Sequence, residues 1–303
     1  MLTNRIQNEL LEQVNVMILE HKAQIESSLN CIPLFGAVGG SISLNLANLG
    51  SDIDFYLVTK DKPDEILKSI MFDGNEKKEI DFMCVSLNEL EEACEKYIQE
   101  EHRYPTRFFR NQKDMIEIVA SGDLYRPTFK REMIMRMFMA DNILEFEKES
   151  VRKYYEILKK GLKLIDIWDS QFNRAYGNYH EQIKGRENVL IRKYLYTIHE
   201  IVTCHLLMAE NETVVMNFKQ MLEPPYYEYV SEIAELCDAL WDKNSKMSLL
   251  KNKAYMTANK KLNNWIENKL EELLQEMKLR ETYLKNNYLP FGKSIILHNN
   301  LQH

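Results

Sequence analysis

The sequence predicts an α+β fold, a small mixed sheet followed by an all-helical half, from three observations. Residues 31–86 hold short apolar, β-branched or aromatic runs ("CIPLFGAV", "SDIDFYLVT", "EIDFMCVS") separated by glycine-rich and charged turns, the pattern of short strands. Beyond Pro127 no proline occurs until Pro224. Over that span apolar residues recur at threes and fours, as in "VRKYYEILKKGLKLIDIW" and "NVLIRKYLYTIHEIVTCHLLM", the period of an α-helix. The expected division is a catalytic domain over 1–127 and a helical domain over 128–303.

Each element follows from local signals. Ile6, Leu10, Val14, Met17, Ile18 and Ile25 repeat at helical spacing and predict a lead-in helix over residues 5 to 28. Cys31 to Val38 reads as a buried strand that ends in glycine. "SISLNLANLG" reads as a short helix that opens at Ser41 and stops at Gly50. "SDIDFYLVT" is a strand by alternation, Pro63 opens an expected helix "PDEILKSIMF", and "EIDFMCVS" is a second strand. "EPPYYEY" breaks the helical half, and residues 248–289 form a long, charged amphipathic stretch.

Composition narrows the function. A chain of 303 residues with 45% hydrophobic content can bury a sizeable core. Its formal net charge of -7 gives no long-range pull on polyanions, so any nucleic-acid contact must rest on a local basic patch. The five cysteines (Cys31, Cys84, Cys94, Cys204, Cys237) form no CxxC or CxxH pair, which argues against a zinc site or a disulfide framework. With no basic-then-apolar leader and no run near 18 apolar residues, the chain is expected to be cytoplasmic, without a membrane span.

The chemistry concentrates in "FGAVGGSISLNLANLGSDIDFYLV", residues 35–58. Side chains alternate along a strand, so Asp52 and Asp54 point one way while Ile53, Phe55 and Leu57 point the other. Two carboxylates held this close repel unless a cation lies between them, and oxygen ligands suit Mg²⁺ or Mn²⁺. In the second strand Asp81 shares a face with Glu79, Met83 and Val85; if the strands are neighbours, it joins the pair. Three such carboxylates can hold two metal ions, one to activate an attacking hydroxyl and one to steady a leaving phosphate. Gly39 and Gly40 let backbone N–H groups approach an anion, and Ser41 adds a hydroxyl at a helix start.

Gly-Gly-Ser, ten residues, Asp-x-Asp in an apolar strand, then an Asp in a later strand: this order resembles the nucleotidyltransferase superfamily of DNA polymerase beta and its relatives. The resemblance rests on residues 39–81. It implies Mg²⁺-dependent transfer of a nucleoside monophosphate from an NTP, ATP favoured, to an acceptor hydroxyl with release of pyrophosphate. It further implies Asp52, Asp54 and Asp81 as catalytic metal ligands, and Gly39, Gly40, Ser41 and Ser51 as nucleotide contacts. Residues 191–223 are similar to a bacterial and phage polymerase-beta-like branch linked to RNA repair, although "IHEI" stands where an Arg-Pro pair is expected. By that likeness Lys193, then Arg192, would offset triphosphate charge. The acceptor stays open among a small molecule such as an antibiotic, an RNA end and a protein.

The same helix carries Arg192, Tyr196, His199 and Thr203 as a polar stripe, opposite Leu190, Tyr194, Leu195, Ile198 and Val202. Arg192 and His199 also fit the spacing of HEPN-type ribonucleases, an alternative alongside a catalytically silent nucleotide sensor. "RYPTRFFR", residues 103–110, interleaves arginines with aromatics that can stack on a base, and "KKGLK", residues 159–163, is a second basic edge.

Overall fold

The structure, a computed structural model, describes residues 2–47, 52–65, 67–72, 78–92, 142–153, 163–209, 217–248, 254–287 and 295–297. It is a mixed helix and strand protein with a helical C-terminal half. The chain divides into two compact units. One gathers Asn15–Gly39, Ile53–Leu162 and Ser294–His303 and holds the main sheet; the other gathers Met1–Val14, Gly40–Asp52 and Lys163–Lys293 and is mostly helical. The boundary expected at residue 127 lies outside the described residues.

The sheet unit is built on six strands in the order β3-β4-β2-β1-β5-β8. These are β1 (Pro33–Val38), β2 (Ile53–Thr59), β3 (Leu67–Phe72), β4 (Lys78–Ser86), β5 (Asn142–Glu145) and β8 (Ile295–Leu297). β1 is buried at every position because strands flank it on both sides and its sequence is apolar throughout. β2 runs antiparallel to β1 and parallel to β4, and β3 pairs antiparallel with β4. Phe55 and Phe82 lie with ring centroids 5.6 Å apart, and Phe72 adds a third ring 6.2 Å from Phe82. Helix α1 (Leu2–Glu20) and helix α2 (Lys22–Leu29) precede the sheet, with Ile18, Ile25 and Leu29 buried and His21 edge-on to Phe72. The single lead-in helix expected from the sequence is thus two.

β3 corrects the sequence reading, which expects a helix from Pro63 through Phe72. Burial alternates instead: Ile70 and Phe72 are buried while Leu67 and Met71 are exposed. Leu67, Ile70 and Met71 satisfy a helical period as well as a strand period. The free edge of β4 decides between them by offering a ladder partner.

In the helical unit, α3 (Gly40–Ser43) is a single turn, shorter than the helix expected to reach Gly50, and Asn45 follows it in the left-handed region at φ 57°. The bundle comprises α4 (Leu164–Gly177), a π-helical turn (Asn178–Ile183), α5 (Ile191–Met208), α6 (Phe218–Met221), α7 (Ala234–Ser248) and α8 (Lys260–Asn286). A small antiparallel pair, β6 (Asn188–Leu190) with β7 (Tyr255–Thr257), lies between them in sequence. α5 is its centre and is buried on nearly every side, as a helix walled by neighbours must be. α8 buries a stripe through Leu262, Trp265, Ile266, Leu270, Leu273 and Met277; its N-terminus is capped by Asn259, whose side chain accepts from Leu262 N. Among the described residues no helix is long and apolar enough to cross a membrane.

Candidate functional site

The carboxylates come first because the sheet places them. β2 and β4 run parallel in a register that sets Asp54 against Asp81. Paired residues in a parallel ladder project to the same face, and adjacent strands lie about 4.8 Å apart, so these two half-buried carboxylates are side-by-side neighbours. The flanking Ile53, Phe55, Ile80 and Phe82 are buried on the opposite face, as alternation requires. Asp81 is met from the other side by β3, where Ser69 is its register partner and donates its hydroxyl to Asp81 Oδ1. Ser69, Asp81 and Asp54 therefore form one row across three strands.

Asp52 lies one residue before β2 and is exposed; it ends the segment Gly40–Asp52 that belongs to the helical unit. Among the described residues no three His, Cys, Asp or Glu side chains stand close enough together to hold one metal ion. The Asp54–Asp81 pair nevertheless fits a hard divalent cation by its donors. Mg²⁺ is commonly held by one or two carboxylates while water and substrate phosphates supply its other oxygens.

The glycine turn begins where β1 ends. Gly39 N–H donates to Asp54 C=O at 2.8 Å, which ties the start of the turn to the carboxylate-bearing strand. A Cβ on Gly39 would lie 1.9 Å from the Tyr56 ring, which is buried on the same face as Asp54. The glycine is thus demanded by packing, beside any role in approaching an anion. Gly40 has φ 58°, a left-handed conformation that favours glycine. Because α3 is one turn long, it supplies little of the aligned dipole that the sequence reading placed at Ser41, and Ser41 itself is buried.

Beyond Gly40 the segment is bonded within the helical unit. Trp241 Nε1 donates to Asn45 C=O at 2.9 Å, Phe218 N to Leu44 C=O at 3.0 Å, and Asn244 Nδ2 to Leu46 C=O at 3.3 Å. Asn45 Nδ2 donates to Asn217 Oδ1 at 2.9 Å. These groups, from α6, α7 and the residue before α6, had no motif to announce them in the sequence.

The basic residues of α5 enter a polar network. Lys193 Nζ donates to Asn178 Oδ1 at 3.2 Å, Asn178 Nδ2 donates to Glu200 Oε2 at 3.1 Å, and Arg174 Nε donates to Glu200 Oε1 at 3.0 Å. Burial, together with the neighbouring Arg192 charge, holds the Lys193 pKa below the usual lysine range. The expected polar stripe is corrected in part. Arg192 and Tyr196 are half-buried, but His199 and Thr203 are enclosed at 2% and 0% exposure. Thr203 is satisfied by donating to His199 C=O at 2.9 Å, and as placed the His199 ring offers RNA no surface.

Ser51, the segment 103–110 and Cys94 lie outside the described residues, as does all of 159–163 except Lys163. The sequence matches no protein-family model and no curated protein.

Proposed function

We propose that this chain is a divalent-metal-dependent nucleotidyltransferase, transferring a nucleoside monophosphate from an NTP, with ATP the favoured donor, to an acceptor hydroxyl of a small molecule, an RNA end or a protein. The observation that carries this reading is the side-by-side pairing of Asp54 with Asp81, with the Gly39 backbone bonded to Asp54. When bound, Mg²⁺ or Mn²⁺ would neutralise phosphate charge and lower the pKa of the attacking hydroxyl.

In the proposed step the acceptor oxygen bonds to the α-phosphorus and the α–β bridging bond breaks. Pyrophosphate leaves with the electron pair, and the acceptor proton passes to water. Asp54 and Asp81 would hold the cation, with Asp52 as the expected third ligand. Gly40 and Ser41 would meet the β and γ phosphates, the Gly39 N–H being bonded to Asp54 C=O. Lys193 and Arg192 are the expected cations for the remaining triphosphate charge, and Lys193 would have to exchange its bond to Asn178 to serve.

The test is thermal unfolding of wild type and Asp54→Ala with each NTP, with Mg²⁺ and with chelator, followed by pyrophosphate release. At 100 times its Kd a ligand stabilises by about 2.7 kcal/mol. Stabilisation should require metal and NTP together. It should vanish in Asp54→Ala and in Asp81→Ala, with transfer reduced roughly 100- to 1000-fold or more. Undiminished transfer by either variant overturns the reading. NTP binding without pyrophosphate release assigns a nucleotide sensor instead.

A further inference from the structure

We infer that Ser69 is a positioning residue for the Asp81 carboxylate, fixing which of its two oxygens faces the cation of a metal–nucleotide substrate. The inference rests on the proposed nucleotidyltransferase reading and extends it to a residue on the neighbouring strand.

Three facts meet at Ser69. It stands on β3, the edge strand, in register with Asp81 on β4. Its hydroxyl donates to Asp81 Oδ1. Ile70 and Phe72 are buried on the opposite face of β3, so alternation commits Ser69 to the carboxylate face. Among the described residues, Ser69 is the hydrogen-bond partner of the Asp81 carboxylate, and Oδ2 is left for another ligand.

The chemistry follows from the freedom of a carboxylate. Its terminal torsion is broad and two-fold, so an untethered aspartate on an open sheet face samples many orientations and presents either oxygen. A hydroxyl held by the ladder and donating to Oδ1 removes most of that freedom. With Oδ1 held from the β3 side, Oδ2 is the oxygen assigned to the cation. It also leaves the charge on Asp81 intact, whereas a lysine at the same place would compete with the metal. Groups that orient a metal ligand in this way typically change metal affinity or activity 10- to 100-fold when removed.

A bond between an edge strand and its neighbour can equally serve the sheet alone, so the test separates the two roles. Wild type, Ser69→Ala and Ser69→Thr, each as the full chain, are titrated with Mn²⁺ in the presence of a non-hydrolysable ATP analogue, bound metal being read by electron paramagnetic resonance. Each is also unfolded thermally in chelator. Ser69→Ala should need roughly tenfold more Mn²⁺ for half-saturation. Its unfolding midpoint in chelator should match wild type, and Ser69→Thr, which keeps the hydroxyl, should restore the affinity.

Equal Mn²⁺ binding by wild type and Ser69→Ala overturns this inference and leaves the proposed function standing. So does a Ser69→Ala defect that appears equally as lost stability in chelator, or that Ser69→Thr fails to restore. Wild type that binds no Mn²⁺ beyond that held by the free analogue overturns the proposed function and this inference together.

Discussion

A methyl group on Gly39 would have to occupy space that the Tyr56 ring already fills, 1.9 Å from its Cε2 atom. Real Cβ contacts do not approach that closely, so either the ring or the end of β1 must move. Tyr56 is 3% exposed and has little room to yield. Gly39→Ala should therefore destabilise the protein by about 1–3 kcal/mol, the usual range for overfilling a packed site. A urea titration measures this directly, and an unchanged midpoint would show that the ring has somewhere to go. The same residue donates its N–H to Asp54, so a displaced Gly39 also disturbs the carboxylate strand. Loss of activity in Gly39→Ala would for this reason not by itself identify a phosphate contact.

At the scale of elements, the segment after Gly40 depends on Asn217, whose side-chain oxygen accepts from both Asn45 Nδ2 and Lys219 N. It thus caps α6 and anchors a residue held at positive φ. Asn217→Ala removes both bonds and should lower stability by about 1–2 kcal/mol in chemical denaturation. Asn217→Asp retains the acceptor and should recover most of the loss; if it does not, the oxygen is not what matters.

Elements differ in how far the sequence revealed them. The phases of β2 and β4 were legible because alternation in "SDIDFYLV" and "EIDFMCVS" commits the aspartates to one face. That the two strands are parallel neighbours was not, since pairing is a property of the whole sheet. Ser69 is not legible in the sequence because "LKSIMF" satisfies both periods, and only the open edge of β4 chooses the strand. The burial of the polar side of α5 is hidden for another reason. His199, Glu200 and Thr203 are polar by type, yet Glu200 is reached by Arg174 and Asn178, and Thr203 bonds its own helix. A polar residue with partners can be buried, and periodicity of residue type does not register partners.

The whole molecule is assembled from interleaved stretches of chain, with crossings at residues 14/15, 39/40, 52/53, 162/163 and 293/294. Neither unit is a contiguous stretch that can be cut out. A chain ending at residue 127, the boundary the sequence invites, would retain β1 to β4 but lack β5, which pairs with Phe35 and Gly36. It would also lack Phe218, Trp241 and Asn244, the donors to the Leu44–Leu46 backbone. Such a fragment should show no cooperative thermal transition and should bind hydrophobic dyes. A sharp transition in the isolated fragment would mean that the sheet is self-sufficient.

The bond from Trp241 to Asn45 spans 196 residues of sequence. At synthesis rates of about 5–20 residues per second, the ribosome needs roughly 10 to 40 s to supply the partner after the turn has been made. Once β4 has been made, a nascent chain carries both aspartate strands while the backbone after Gly40 still lacks its bond from Trp241. The turn after Gly40 is therefore completed only late in synthesis, by a residue from the C-terminal third of the chain.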